Sequence, residues 1–261
     1  MTIKIYQVDA FSDKLFGGNP AAVCPLDQWL SDEVMQNIAM ENNLSETAFY
    51  VQKGHEYQIR WFTPTVEVDL CGHATFAAAY VLFHHEGHDA NEIQFHSPRS
   101  GKLKVTKKGD FISLDFPADD MIPATLTQDL LNGFDIAPQS VFKGKTDYLL
   151  VFKNEEEIAG LKPDISKISQ IDARGIIVTA KGNSVDFVSR FFGPQVGVDE
   201  DPVTGSAHTT LTPFWAKKLN KTELSAVQLS KRKGQLLCKY APPRVEISGK
   251  GKLYMTGTIE L

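Results

Sequence analysis

The sequence predicts an α+β protein of two similar domains, each a barrel-like, mostly antiparallel sheet around one central helix. Three observations carry this expectation. The first is a repeated motif. Asp69-Leu70-Cys71-Gly72-His73-Ala74-Thr75 has a weaker copy in Asp201-Pro202-Val203-Thr204-Gly205-Ser206-Ala207-His208. Arg60-Trp61-Phe62-Thr63-Pro64 precedes the first copy as Arg190-Phe191-Phe192-Gly193-Pro194 precedes the second. Ile93-Gln94-Phe95 and Gly101-Lys102-Leu103 follow the first as Val227-Gln228-Leu229 and Gly234-Gln235-Leu236 follow the second. The matched pairs are about 130 residues apart and keep one order, the mark of a duplicated unit. The second observation is the stretch from Ala74 to Phe83, which holds no charge and is apolar on every face. Such a helix is buried all round, and it is too short to cross a membrane. The third is that most other apolar runs are short and alternate, as strands with one wet face do.

A chain of 261 residues that is 42% hydrophobic and 23% charged can bury a full core. The repeat divides it into residues 1–117 and 118–261, with the last strand able to return to the first domain. Pro117-Ala118-Asp119-Asp120-Met121-Ile122-Pro123 is the boundary by composition. The net charge is −5, and the only basic run is Lys231-Arg232-Lys233, so nucleic acid is not an expected partner. Met1-Thr2-Ile3-Lys4-Ile5 enters strand-like alternation directly, without the apolar run of a signal peptide. Cys24, Cys71 and Cys238 have no framework spacing and read as reduced thiols, so a cytoplasmic protein without a membrane partner is expected.

In chain order, Ile3 to Phe11 reads as a strand, Phe16-Gly17-Gly18-Asn19-Pro20 as a turn, and Ala21 to Cys24 as a short strand. Ser31 caps a helix whose first turn is acidic and whose apolar face is Val34, Met35, Ile38 and Ala39. Asn42-Asn43 ends it. Strands follow over Thr47 to Val51 and Tyr57 to Phe62. The first motif helix ends in His84-His85-Glu86-Gly87-His88, with Gly87 as its expected cap. Adjacent histidines cannot share a helix face, so these are read as complements to the helix dipole rather than metal ligands. Ile93–Phe95, Leu103–Val105 and Ile112–Phe116 complete the first half. The second half opens with a helix from Gln128 to Leu131. Strands are expected over Tyr148–Phe152, Gly175–Thr179, Val185–Arg190, Val227–Leu229, Leu236–Lys239 and Leu253–Ile259. The second motif helix is expected to be interrupted at Pro213.

Candidate site residues lie at the ends of these elements. Gly72 and Gly205 open helices whose first backbone N–H groups can hold an anion. Two such helix starts facing each other across a cleft would form a ligand site. Asn19 reads either as a turn residue bonded to its own backbone or as a substrate-binding group on a glycine-rich loop. Glu46 reads either as an exposed loop-end acid or as a general acid/base. In the second case its apolar setting would raise its pKa toward neutrality.

Taken together, Gly17-Gly18-Asn19-Pro20-Ala21-Ala22-Val23, Asn43-Leu44-Ser45-Glu46-Thr47-Ala48-Phe49, the run from Arg60 to Ala74, and Glu200-Asp201-Pro202-Val203-Thr204-Gly205-Ser206-Ala207 resemble the phenazine-biosynthesis PhzF-like isomerases. These share the diaminopimelate epimerase-like fold, two similar domains with an active site between them. The resemblance covers essentially the whole chain. It implies a cofactor-independent isomerase that moves a proton between carbons of a small carboxylate. It makes Glu46 the acid/base, with His73 and Asp201 as catalytic partners. It places Asn19, Gly72, Gly205 and Ser206 at the substrate. It implies no cofactor and no metal, and a homodimer.

Amino-acid epimerases of this fold use two facing cysteines. Here Cys71 occupies one position and Thr204 the other, and a Thr hydroxyl has no useful acidity without an activating base. Two alternatives remain: a racemase or epimerase using Cys71 with a non-thiol partner, and a non-catalytic binder of small carboxylates.

Overall fold

The computed structural model describes residues 1–261 as two compact units. Unit 1 is Met1–Asp115 with Ser248–Leu261, and unit 2 is Phe116–Ile247.

Unit 1 contains β1 (Thr2–Ala10), β2 (Asn19–Leu26), α1 (Asp32–Asn42), β3 (Glu46–Lys53), β4 (Glu56–Phe62), β5 (Glu67–Val68), α2 (Gly72–His84), β6 (Glu92–Ser97), β7 (Gly101–Lys108) and most of β8 (Phe111–Pro117). β1 pairs antiparallel with β2, β3 with β4, β6 with β7, and β7 with β8. Two pairs are parallel, β2 with β3 and β4 with β6. Parallel neighbours need a crossover, and α1 and α2 supply one each. The sheet is therefore mixed, where alternation alone suggested antiparallel strands.

The alternation sorts side chains onto two faces. Ile3, Ile5, Cys24, Phe49 and Val51 form one apolar layer with Met35, Ile38 and Ala39 of α1. The residues between them in sequence point the other way, toward α2, which packs on β1, β2, β3 and β7. Within α2, His73 through Ala79 and Val81 through Phe83 are all buried, as the chargeless run from Ala74 to Phe83 requires. Its C-cap is His85 rather than Gly87. Glu86 N–H and His88 N–H donate back to the carbonyls of Val81 and Leu82, and Gly87 takes the positive φ of that wrap. His84 bonds Tyr80 O and His88 bonds Tyr57 Oη, so these histidines face separate partners.

Ser31 caps α1 by accepting from Val34 N–H, and Asn43 ends it in the left-handed region. The chain's last strand, β17 (Gly251–Glu260), lies in unit 1 and pairs antiparallel with β1.

Unit 2 contains β9 (Ile122–Pro123), α3 (Gln128–Asn132), β10 (Ser140–Lys143), β11 (Asp147–Val151), α4 (Glu155–Gly160), α5 (Ile165–Ile168), β12 (Gly175–Lys181), β13 (Phe187–Phe192), α6 (Gly205–Leu219), β14 (Glu223–Gln228), β15 (Gly234–Ala241) and most of β16 (Arg244–Gly249). Its parallel pairs are β11 with β12, bridged by α4 and α5, and β13 with β14, bridged by α6. The sequence reading missed α4, α5, β10 and β16, which are short or polar on their outer faces. Ile158, Leu161 and Ile168 from the α4–α5 segment pack on Leu150, Val178 and Val188 of the sheet. Contrary to expectation, α6 runs through Pro213 as one helix of 15 residues. The carbonyl that Pro213 cannot serve finds another donor.

Candidate active site

In unit 1 the site begins at a strained loop. Phe11, Phe16 and Gly18 all take positive φ, at 62°, 69° and 64°. A Cβ on Gly18 would lie 2.0 Å from Ala10 O, so only glycine fits there. The buried Asp9 carboxylate accepts from Phe16 N–H at 2.8 Å and holds the loop closed. The loop delivers Asn19 as the first residue of β2, fully buried. Parallel pairing sets Ala21 level with Glu46, so Asn19 and Glu46 emerge at one end of neighbouring strands. The start of α2 places Cys71 and His73 beside them.

Asn19 Nδ2 lies 3.2 Å from His73 Nδ1, and Cys71 Sγ lies 3.5 Å from the same nitrogen. A ring protonated only at Nε2 accepts the Asn19 NH₂ at Nδ1, and a fully protonated ring takes the amide oxygen there instead. Nε2 is 3.0 Å from Glu46 Oε2. The side chains of His73 and Glu46 are 6% and 16% exposed. The two atoms are close but badly aligned, and neither finds a well-directed hydrogen-bond partner. This is a buried charge contact with spare bonding capacity.

The electrostatics correct one expectation. Burial pushes the Glu46 carboxyl upward, but the charge of His73 3.0 Å away, with the nearby Cys71, holds it below its ordinary 4.5. The sequence suggested a raised value because it showed the apolar neighbours and not the imidazole. Burial pulls His73 down, yet the net shift is upward, and Glu46 is the partner that can hold it there at neutral pH. Cys71, also beside His73, is a neutral thiol at that pH. Burial, then the Glu46 charge, push that thiol to about 11 despite His73. Cys71 is the N-cap of α2 and gives no side-chain cap hydrogen bond. The Gly72 N–H at the helix start has no acceptor within the helix.

The other sequence-selected residues are in unit 2. Thr204 Oγ1 donates to Asp201 Oδ2 at 2.6 Å. Asp201 N–H donates to Phe191 O. Ser206, second in α6 after Gly205, accepts from Arg174 Nη1 at 3.0 Å. Arg174 in turn donates to the buried Asp147 carboxylate and lies over the Phe191 ring. His208 of the second motif is fully buried, donates from Nδ1 to Thr204 O at 2.8 Å, and is lowered to about 4 by burial.

Sequence reasoning missed three features here. Gln228 is fully buried. It accepts from Thr204 N–H at 2.8 Å and donates to Asp201 O at 2.7 Å. It stands in the repeated Val227-Gln228-Leu229 run, which was a signal for it. Arg174 and Asp147 left none. The repeated arginines also prove to be structural. Arg60 forks onto Glu67 at 2.7 and 2.8 Å, and Arg190 forks onto Glu200 at 2.7 and 3.0 Å.

The relatives of the chain place it among isomerases. Over 261 residues it is 54% identical to an uncharacterized isomerase of Pseudomonas aeruginosa, covering 100% of both chains. It is 47% identical over 254 residues to an uncharacterized isomerase of Halalkalibacterium halodurans, covering 96% of each. The crystal structure of a phenazine biosynthesis PhzF-family protein from Enterococcus faecalis superposes with a TM-score of 0.98 at 47% identity, covering 100% of both. A probable proline racemase from Agrobacterium radiobacter shares the fold alone, with a TM-score of 0.61 at 7% identity over 99% of this chain and 93% of that one. The phenazine biosynthesis-like family (PhzC-PhzF) matches residues 8–257, and the chain belongs to it.

Proposed function

We propose that the protein is a cofactor-independent isomerase that moves a proton between two carbons of a small carboxylate substrate, with Glu46 as the acid/base. The observation that carries this reading is the buried Glu46–His73 contact beside the uncapped start of α2. His73 keeps Glu46 ionised, so the carboxylate is in its base form at neutral pH. Glu46 takes a proton from one carbon, the electron pair passes into the conjugated acid, and Glu46 returns the proton at the second carbon. A depressed pKa makes a weaker base, so the substrate must be acidified in compensation. Fixed N–H dipoles at Gly72 stabilise the developing negative charge. His73 stays in charge contact with Glu46 through Nε2, and Asn19 holds the ring from the other side.

In unit 2, Asp201 is read as a group that orients substrate. Gly205 and Ser206 offer the start of α6 to an anion. Each sheet is read as curling around its helix, since α2 and α6 are buried on most sides, and the two units as a duplication. A second copy of the chain is the proposed partner.

Cys71 is a poor candidate for a racemase base, because a thiol near 11 is almost wholly protonated at neutral pH. Thr204, at the facing-cysteine position, donates its hydroxyl hydrogen bond to Asp201. A pure binder would not need a buried acid paired with an imidazole. The deciding experiment is solvent-deuterium incorporation into a panel of small unsaturated and hydroxylated carboxylates, comparing wild type with Glu46→Gln. Incorporation that survives Glu46→Gln but is lost in Cys71→Ala would replace this reading with the thiol epimerase.

A further inference from the structure

Glu46, Cys71 and His73 each offer one metal-ligand atom, and all three atoms lie within 4.8 Å of one another. Ligand atoms around a tetrahedral zinc sit about 3.3–3.6 Å apart, given bonds of about 2.0 Å to nitrogen and oxygen and about 2.3 Å to sulfur. Glu46 Oε2 lies 3.0 Å from His73 Nε2, near that spacing, whereas the 3.5 Å contact of Cys71 Sγ is to the ring's other nitrogen, Nδ1. A single imidazole nitrogen therefore joins the other two ligand atoms once the side chains adjust within 4.8 Å. Glu46 Oε2 and His73 Nε2 are buried without a well-directed hydrogen bond. Buried polar atoms in that condition favour any partner that satisfies them.

We propose that these three side chains form a binding site for Zn(II), with Cys71 Sγ, one imidazole nitrogen of His73 and one Glu46 oxygen as ligands and a fourth position open. The charges suit a buried site. A thiolate and a carboxylate neutralise the dication, so little net charge is desolvated. Binding releases the Cys71 thiol proton, and any second imidazole proton, to solvent. Thiolate plus imidazole selects zinc over magnesium or calcium, which need more oxygen ligands. With zinc on Nε2 the His73 proton sits on Nδ1, and the Asn19 amide, turned to present its oxygen, accepts it as the outer-shell contact that orients a ligating histidine.

The bound ion takes the carboxylate oxygen and the imidazole that proton transfer needs. The loaded protein is therefore a blocked form, and zinc acts as an inhibitor. That consequence rests on the reading of Glu46 as proton carrier. The binding itself does not.

Cobalt(II) titrated into the tag-free full-length chain tests the site. A thiolate-to-cobalt charge-transfer band with tetrahedral d–d absorption is expected, and zinc but not magnesium should displace the ion. Cys71→Ser should lose the band. Its fold should hold, because serine is a preferred residue at a helix N-cap, and circular dichroism checks this. Cys24→Ala and Cys238→Ala should keep the band. Competition with a chromophoric chelator should show zinc binding weakened at least about tenfold in His73→Asn and in Glu46→Gln, since even outer-shell changes cost about 10–100-fold. A band that persists in folded Cys71→Ser, or zinc affinity in His73→Asn and Glu46→Gln equal to that of wild type, would overturn the proposal. Tight zinc binding without loss of deuterium exchange would keep the metal site and remove Glu46 as proton carrier.

Discussion

The N–H of Asp119 donates to the carbonyl of Thr209 at 3.2 Å, and that carbonyl is the one Pro213 leaves without its helical donor. The same Asp119 carboxylate accepts from Thr210 Oγ1 and Lys145 N–H. A segment outside the helix thus repairs α6 at its weakest turn. Proline inside a helix ordinarily costs about 3 kcal/mol, yet here the lost bond is replaced. Pro213→Ala should therefore change the free energy of urea unfolding by less than about 1 kcal/mol, the worth of one net hydrogen bond. A gain near the full proline cost would show that the Asp119 contact compensates for nothing.

Glu46→Gln keeps shape and removes the acid. Its thermal unfolding should match wild type within a few degrees, while solvent-deuterium exchange into a turned-over substrate should fall about 10²–10⁴-fold. Anion binding to the α2 start should persist, measured by chemical-shift changes on adding small carboxylates.

The Glu46–His73 pair also sets a pH window. Glu46 is depressed in the folded state, so its stabilisation is present above its ordinary value of 4.5 and is lost as pH falls through the folded value. His73 is raised, so its stabilisation is full below its ordinary 6.5 and is lost as pH rises through the folded value. Full protonation of His73 requires the Asn19 amide to turn its oxygen toward Nδ1. Urea midpoints plotted against pH should decline on both sides of the 4.5–6.5 interval. His73→Asn should flatten the alkaline limb. An alkaline limb identical in the two proteins would mean that His73 carries no folded-state proton.

Arg190 is 11% exposed, forks onto Glu200 and donates to the carbonyls of Ile158 and Leu161. Arg190→Ala strands several partly buried acceptors at once and should cost about 3–5 kcal/mol. Replacing the exposed Lys217, paired with exposed Asp120 at 3.4 Å, should cost under about 1 kcal/mol. Comparable losses in equilibrium unfolding would contradict the structural role given to the repeated arginine.

The proposed homodimer is checked by light scattering at micromolar concentration. A mass twice the 28.9 kDa of one chain is expected. A chain that stays monomeric there removes the second copy as a partner.

Much of this architecture was legible in the residues themselves. The alternation of buried Ile3 and Ile5 with exposed Thr2 and Lys4, the cap at Ser31 and the chargeless run of α2 are local patterns, and burial of one face imposes them directly. The paired Arg, Gly and Gln runs are likewise visible as text, and so was Glu46 as a candidate acid. What only the tertiary structure decided concerns partners. Periodicity reports that a face is buried and not what it meets. The parallel pairings of β2 with β3 and of β4 with β6 depend on helical crossovers that no strand encodes alone. Glu200, Asp147 and Gln228 acquired meaning only when distant segments brought them to Arg190, Arg174 and Thr204. The ionisation of Glu46 shows the limit most clearly. Its neighbours in sequence are apolar and argue for a raised pKa. The sign is set by an imidazole 3.0 Å away, delivered by a different element. Charge interactions depend on separations of a few ångströms, and packing, not sequence order, fixes those.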